Sequence, residues 1–213
     1  DYYNAHNNLG ITLKALGGLE EAEASYTQAI ALNPNYAEAH YNLGITLHEL
    51  GRLDEAEASY TQAIALKTNY AEAYNNLGIT LNELERLGEA CSVYIQAINL
   101  IPDYTEAYVN LGIAIKNVRF NSSNPKLYPT LTRLLSTGNF VRPADLVPSI
   151  LSLLKHDIQI KDFLLKKNFA MSLKEATSII ESLDKLPLLH HLMRVCPLPD
   201  LQFEELFVAI RSL

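Results

Sequence analysis

The sequence contains little cysteine, glycine or proline and no tryptophan. Of its 213 residues, two are cysteine, nine are glycine and nine are proline. Cys91 and Cys196 have neither the spacing of a metal site nor the pattern of a disulfide framework, which predicts reduced, buried thiols in a cytoplasmic protein. No apolar run approaches the roughly 18 to 20 residues that a membrane-spanning helix needs. These absences argue against a disulfide scaffold and a membrane protein, and we expect no metal or other cofactor.

Basic residues are scarce in the first half of the chain. Residues 1–118 carry 15 acidic and 5 basic side chains, a net charge of −10, whereas residues 119–213 carry 9 acidic and 12 basic side chains, a net charge of +3. A segment at −10 repels phosphate backbones and anionic lipid headgroups. We therefore expect neither nucleic acid nor membrane as a partner of the first half.

What the first half does contain is an internal repeat. The stretch NYAEAHYNLGITL at 35–47 returns as NYAEAYNNLGITL at 69–81 and, more loosely, as DYTEAYVNLGIAI at 103–115, and the chain opens with DYYNAHNNLGITL. The copies begin at Asp1, Asn35, Asn69 and Asp103, so the interval between them is constant. A fixed period of this length is the signature of a solenoid built from stacked repeats.

Small and apolar residues recur at fixed places in each repeat. With Ala37 as position 1, the pattern residues of one repeat are Leu43, Gly44, Leu47, Ala56, Tyr60 and Ala63. This pattern resembles the tetratricopeptide repeat. The resemblance implies an all-α protein in which residues 1–118 form a right-handed helical solenoid of three full repeats plus a fourth helix A.

Each repeat is predicted to contain two helices, A and B, because a short break interrupts the apolar pattern. The breaks read LGGLEE, LGRLDE and LERLGE, a turn followed by acidic residues that favour the first turn of helix B. Gly44 and Ala56 are small, which predicts that helices A and B approach closely where they cross. Neither helix can bury its apolar face alone, so the repeats gain stability by stacking.

Residues 119–213 keep a helical pattern but lose the period. Two apolar stripes, a capping box and a terminal cap predict an all-helical domain that caps the last repeat. The stripes are Leu127, Leu131, Leu134 and Leu135, then Leu146, Ile150, Leu153 and Leu154; further helices are predicted at 158–167, from Ser172 with Glu175, at 188–195, and from Asp200 onward. Residues 137–213 also resemble the helical region after repeat arrays in bacterial proteins that continue into an S-adenosylmethionine-dependent methyltransferase.

An asparagine precedes Leu-Gly at position 6 of every helix A. These asparagines are Asn8, Asn42, Asn76 and Asn110. The helical period places them in a row along the concave face, where each amide offers a donor and an acceptor to an extended peptide backbone. The row resembles the asparagine ladder in the repeat arrays of O-GlcNAc transferases. Recent duplication of the repeats is the alternative explanation, although the fourth copy has diverged at neighbouring positions and keeps Asn110.

Specificity is expected from the side chains beside the asparagines. The predicted peptide-binding set adds Tyr41 and Asn75 at position 5, Ile45 and Ile79 at position 9, and His48 and Asn82 at position 12. A carboxylate clamp of the chaperone-binding kind is absent, because position 2 is Asn4, Glu38, Glu72 or Glu106 and position 9 is isoleucine throughout. Glutamates at the groove edge favour a basic or neutral ligand.

The sequence as a whole predicts a non-catalytic scaffold that binds a protein or an extended peptide segment. No paired carboxylates and no nucleophile with a base stand out, so we expect no enzymatic activity. Two alternatives remain. The chain can be the substrate-recruiting part of a larger methyltransferase or, less in keeping with the pattern, of a glycosyltransferase. It can also be an assembly element, because an acidic array and a basic helical domain invite self-association.

Overall fold

The computed structural model describes residues 1–137, 141–158, 160–161 and 186–195. The chain forms two compact units, Asp1–Ala114 and Ile115–Leu213. The sequence predicts the division after residue 118, so the observed boundary falls slightly earlier, inside the last helix of the repeat region. Each unit is described by itself below.

The repeat region consists of three antiparallel helix pairs and one further helix. The helices are α1 (Tyr2–Ala15), α2 (Leu19–Leu32), α3 (Ala37–Glu49), α4 (Leu53–Leu66), α5 (Ala71–Glu83), α6 (Leu87–Leu100) and α7 (Thr105–Lys116). Helices α3 and α5 each pack on the helix B of their own repeat and on the helix B of the preceding repeat. This arrangement confirms the prediction of an all-α solenoid with three full repeats and a fourth helix A.

A glycine at position 8 allows helices A and B of each repeat to touch. A Cβ atom built on Gly10, Gly44 or Gly78 would lie 2.5–2.7 Å from the Cε1 atom of the tyrosine on the facing helix B. Those tyrosines are Tyr26, Tyr60 and Tyr94, and each is at most 2% exposed. The glycine is therefore required for the close crossing that the sequence predicts, and the tyrosine ring occupies the space that it leaves.

Helix A ends in each repeat with a residue in the left-handed backbone region. Gly17 has φ +86° and Gly51 has φ +74°, but the third repeat places Glu85 at φ +60°. The following residue then donates back into the helix, as Arg52 N–H does to Leu47 O at 2.9 Å and Arg86 N–H does to Leu81 O at 2.9 Å. A residue with a side chain is strained in this conformation, so Glu85 lowers the stability of the folded state whereas Gly17 and Gly51 do not.

Replacing Glu85 with glycine is therefore expected to stabilise the protein by about 1 kcal/mol. The substitution relieves the left-handed strain and leaves the backbone hydrogen bonds in place. Urea unfolding followed by circular dichroism measures the change. The reverse substitution, Gly51→Glu, should destabilise the protein by a similar amount. A lower unfolding midpoint for Glu85→Gly would contradict the assignment of strain to this turn.

Arginines at position 16 tie neighbouring helices B together. Arg52 bonds Glu55 through Nε and Nη2 at 2.7 and 2.6 Å, and its Nη1 reaches Glu23 of the preceding repeat at 2.7 Å. Arg86 repeats the arrangement with Glu89 and with Glu57 of the preceding repeat. The guanidinium of Arg52 holds the pKa of Glu55 below its ordinary value. The two-point bond to Glu55 lies within one helix and orients the guanidinium, and the single Nη1 bond to Glu23 is the link to the neighbouring helix.

The second unit is also helical wherever it is described. A 3₁₀ turn at Pro125–Leu127 leads into α8 (Tyr128–Thr137), followed by α9 (Pro143–Leu154) and α10 (Pro187–Val195). The two predicted leucine-rich stripes are buried on α8 and α9, which confirms them. The hydroxyl of Tyr128 donates to Asp157 Oδ2 at 2.6 Å in the interior of this unit. The helices predicted from Ser172 and Asp200, and most of 158–167, lie outside the described residues.

Two expectations from composition can be compared with the structure. Cys91 is 2% exposed and is a free thiol, and burial raises its pKa to about 12, so it is the inert thiol that the sequence predicts; Cys196 lies outside the described residues. Across the described part of the chain, every helix is too short or too polar to span a bilayer.

Candidate functional site

The candidate site lies on the face formed by helices A. Successive helices A, namely α1, α3 and α5, contact one another directly. They therefore line the inner, concave side of the repeat unit, where a partner would lie across several repeats.

Three of the four asparagines at position 6 are bonded to the preceding repeat. Asn42 Nδ2 donates to Asn7 Oδ1 at 3.0 Å, and Asn110 Nδ2 donates to Asn75 Oδ1 at 3.0 Å. Asn76 Nδ2 donates to the hydroxyl of Tyr41 at 3.1 Å. Position 6 of one repeat thus pairs with position 5 of the repeat before it. The asparagine row has a structural role that sequence reasoning did not identify.

These bonds fix how each asparagine presents its amide group. At least one N–H of each amide is used within the array, and the carbonyl oxygen, with two lone pairs, is open to a donor of the ligand. A threonine at position 10 secures the same turn of helix, because Thr46 Oγ1 donates to Asn42 O and Thr80 Oγ1 donates to Asn76 O, both at 3.0 Å. Asn8 is exposed and makes no such side-chain bond within the described residues.

The two candidates at position 5 differ in how exposed they are. Asn75 is fully buried, donates to Glu106 Oε1 at 3.2 Å and accepts from Asn110. Its side chain is therefore not accessible to a ligand, and it supports Asn110 instead. Tyr41 is half-buried, with its ring centroid 4.7 Å from that of Tyr70 and 6.0 Å from that of Tyr60.

Four of the predicted residues meet in one cleft between α3 and α5. The cleft has a volume of about 110 Å³ and is lined by Ile45, His48, Glu49, Tyr60, Asn76 and Ile79. The isoleucines are half-buried, one on each helix A, while Tyr60 reaches the cleft from α4. Asn42, Asn82 and Asn110 lie on helices A but do not line it. An apolar cavity of about 150 Å³ holds a benzene molecule, so this cleft has room for one side chain.

Sequence reasoning missed two lining residues, Glu49 and Tyr60. Tyr60 is one of the pattern residues of the repeat, and it is buried, but it also lines the cleft. Glu49 is at position 13, four residues after Ile45, so the helical period places the two side chains on the same face. The signal for Glu49 was therefore present in the helical period.

Polar contacts between neighbouring repeats flank the cleft. Lys14 Nζ lies 2.8 Å from Glu49 Oε1, and His48 Nε2 lies 3.2 Å from Glu83 Oε1. Burial raises the pKa of Tyr60, with further contributions from Tyr41, Glu49 and Glu83 and an opposing hydrogen bond from Asn76. Tyr60 therefore remains a neutral phenol at physiological pH, suited to hydrogen bonding rather than to proton transfer.

The described residues contain no group of three or more histidine, cysteine, aspartate or glutamate side chains placed to hold a metal ion. What they present is a groove of helices A with hydrogen-bonding amides, aliphatic walls and carboxylates. A groove of this kind defines a helical-repeat module for binding other molecules.

Family models identify the module. Two models described as tetratricopeptide repeat match the chain, one over residues 7–71 and the other over residues 71–104. The array of this chain belongs to the tetratricopeptide repeat family. Neither model reaches residues 137–213, and the likeness of that stretch to the helical region of methyltransferase fusions stays a prediction. No curated protein matches the chain significantly.

Solved tetratricopeptide domains have the same fold. The first such domain of Spaghetti (RPAP3), bound to an HSP90 peptide SRMEEVD, is 25% identical over 53% of this chain and 90% of that chain, with a TM-score of 0.52. The second domain of human RPAP3, in complex with an HSP70 peptide SGPTIEEVD, is 27% identical over 51% of this chain and 91% of that one, with a TM-score of 0.50. An O-GlcNAc transferase mutant from Thermobaculum terrenum is 20% identical over 64% of this chain and 26% of that chain, with a TM-score of 0.53.

Proposed function

We propose that this protein is a non-catalytic scaffold that binds an extended peptide segment of a partner protein along helices A. The observation that carries the proposal is the cleft between α3 and α5, where Ile45, His48, Asn76 and Ile79 come together. Each was predicted from its place in the repeat, and all four face the same space.

The cleft and the asparagines bind different parts of the ligand. The isoleucine walls and the Tyr60 ring accept one aliphatic or aromatic side chain, whose burial from water favours the complex. The oxygens of Asn42, Asn76 and Asn110 accept hydrogen bonds from the ligand backbone. Because a hydrogen bond nets only about 0.5 to 1.5 kcal/mol, three asparagines set register and direction, and the side chain in the cleft supplies most of the affinity.

The solved neighbours support peptide binding, but the residues of this chain favour a different ligand from theirs. The domains of Spaghetti and human RPAP3 are bound to peptides that end in Glu-Glu-Val-Asp. In this chain, position 2 carries a glutamate in three of the four repeats and position 9 carries isoleucine. Repulsion between carboxylates disfavours an acidic peptide end here, so we propose a basic or neutral segment.

A random-peptide display screen against the full chain tests the proposal, with three proteins compared. Changing Asn42 and Asn76 together to alanine removes both ligand-facing oxygens and should weaken selected peptides by roughly tenfold to a hundredfold. Changing both to aspartate keeps an oxygen acceptor at each place but removes the Nδ2 donor, so neutral or basic peptides should still bind within a few-fold of the original.

Stability must be followed in the same variants, because alanine and aspartate both lack the Nδ2 donor that bonds to the preceding repeat. Thermal unfolding of the three proteins provides that control. If enriched peptides bind the alanine variant as well as the original protein, the asparagines do not contribute to peptide binding. No enrichment in the screen, together with concentration-dependent light scattering, would favour the assembly alternative and overturn peptide binding.

A further inference from the structure

One lysine of the array is held by an aromatic ring and a carboxylate. Lys67 Nζ lies 4.2 Å from the centroid of the Tyr70 ring and 3.3 Å from Glu38 Oε1. Lys67 follows the last residue of α4, Tyr70 directly precedes α5, and Glu38 is in the first turn of α3. Tyr70 and Glu38 form a cation site at the edge of the groove. Lys67 of the same chain occupies it.

The next repeat builds the same site without the lysine. At the equivalent places one repeat later, Tyr104 stands for Tyr70 and Glu72 for Glu38, but Ile101 replaces Lys67. The backbone is equivalent, with φ/ψ of −136°/88° at Lys67 and −127°/94° at Ile101. The N–H of Tyr70 donates to Lys67 O at 3.1 Å, and the N–H of Tyr104 donates to Ile101 O at 3.0 Å.

The carboxylates at the second site are exposed and carry no ion pair. Within the described residues neither Glu72 nor Glu106 contacts a lysine or an arginine. Glu106 is oriented by Asn75 Nδ2, which donates to its Oε1 at 3.2 Å. Burial raises the pKa of Tyr104 to about 12, and the charges of Glu106 and Glu72 add to the effect. The repeat itself places Glu72 and Tyr104 as it places Glu38 and Tyr70.

The three repeats differ in which of the two charges they carry. In the first repeat Tyr36 is present, but Asn4 and Asn33 stand where the second repeat has Glu38 and Lys67. The first repeat therefore has neither charge and the second has both. The third keeps the carboxylate, Glu72, without a lysine. With Glu106 from the following helix, two negative charges accompany the aromatic ring of Tyr104, whose face attracts cations.

We propose that Tyr104, Glu72 and Glu106 form a subsite for the lysine or arginine side chain of a bound partner. Lys67 shows the geometry of the bound cation one repeat earlier. A peptide as the source of that side chain follows from the function proposed above, whereas the cation site itself can be tested without a peptide.

The probe is Nα-acetyl-lysine amide, with Nα-acetyl-norleucine amide as the matched neutral compound. Two-dimensional NMR of the labelled full chain reports which backbone amides shift during titration. The lysine compound should shift the signals of Ile101, Tyr104 and Glu106, and the norleucine compound should not. Equal shifts with both compounds, or no saturable shift with the lysine compound, would overturn the proposal.

Two exchanged substitutions make the test specific. Ile101→Lys supplies an internal lysine, as at position 67, and should abolish the shifts at Tyr104. Lys67→Ile empties the site at Tyr70 and Glu38 and should create a second set of shifts there. Glu72→Gln with Glu106→Gln should weaken lysine binding by roughly three- to tenfold, because an exposed ion pair and an exposed cation–π contact are each modest.

The outcomes separate this proposal from the peptide-binding function. If lysine binding disappears in Ile101→Lys and the peptide screen fails, the cation subsite is supported and the peptide-binding function is contradicted. Peptides that bind the original protein and Ile101→Lys equally, with or without their basic residues, would keep the groove and remove the subsite. Shifts that persist unchanged in Ile101→Lys would place the cation elsewhere and refute the assignment.

Discussion

Replacing Gly78 with alanine is expected to destabilise the protein by about 1 to 3 kcal/mol, the usual cost of forcing extra volume into a packed core. The new Cβ atom would lie 2.5 Å from Tyr94 Cε1 and 2.7 Å from its Cδ1 and Cζ atoms. Tyr94 is 2% exposed, so its ring cannot turn aside into solvent. Helices α5 and α6 would have to separate, in the middle of the array. Urea unfolding measures the loss.

The same substitution at Gly88 provides a matched control. Gly88 lies in the first turn of α6, and a Cβ atom there would meet nothing within 4 Å. Alanine should therefore stabilise the protein by roughly 0.5 to 1 kcal/mol through its better helix propensity. Stabilisation at both Gly78 and Gly88 would show that helix propensity, rather than contact with Tyr94, decides the effect.

The protein is expected to unfold cooperatively as the pH rises above 10. Burial is the main reason that several tyrosines have a pKa above the ordinary value of 10.0. The pKa is raised to about 12 for Tyr26 and Tyr104. It is raised in the same direction for Tyr60, Tyr70 and Tyr94. The folded state favours the neutral phenol, so these groups contribute stability that is fully present below pH 10. That stability is lost as the pH rises from 10 toward 12.

Absorbance at the tyrosinate band and circular dichroism, recorded on the same samples, measure this prediction. The chain contains 12 tyrosines and no tryptophan, so the absorbance signal comes from tyrosine alone. In urea the tyrosines should ionise together near pH 10, whereas the native protein should ionise later and lose helicity at the same time. Native tyrosines that ionise with the urea midpoint, without loss of helicity, would contradict the prediction.

The fold was predictable because the features that set it are periodic. A glycine at position 8 and a tyrosine at position 24 recur in each of the three full repeats, and their contact is the crossing point of each pair. Gly44 and Tyr60 therefore specify both the helices and how they pack. Glu85 shows the opposite case. It departs from the glycine of the first two turns, yet the surrounding repeat still imposes the left-handed backbone on it.

The candidate site was only partly predictable. The helical period places Ile45, His48 and Ile79 on one face, and the structure brings them together with Asn76. It could not reveal that Asn75 points inward, because that depends on Glu106 and Asn110, which approach from the next helix A. Partners from another repeat are fixed by stacking geometry, which a single repeat does not encode. The pairing of position 6 with position 5 was missed for the same reason.

The bonds between repeats join the same two positions at successive junctions. Asn76 reaches Tyr41 as Asn110 reaches Asn75, and Arg86 reaches Glu57 as Arg52 reaches Glu23. A second copy of residues 37–70, inserted directly after the first, would therefore meet a correct partner at both of its new junctions. The array can be lengthened by tandem duplication of whole repeats without redesigning any interface. Growth of the groove, and with it the length of segment that it can hold, requires no new side-chain chemistry.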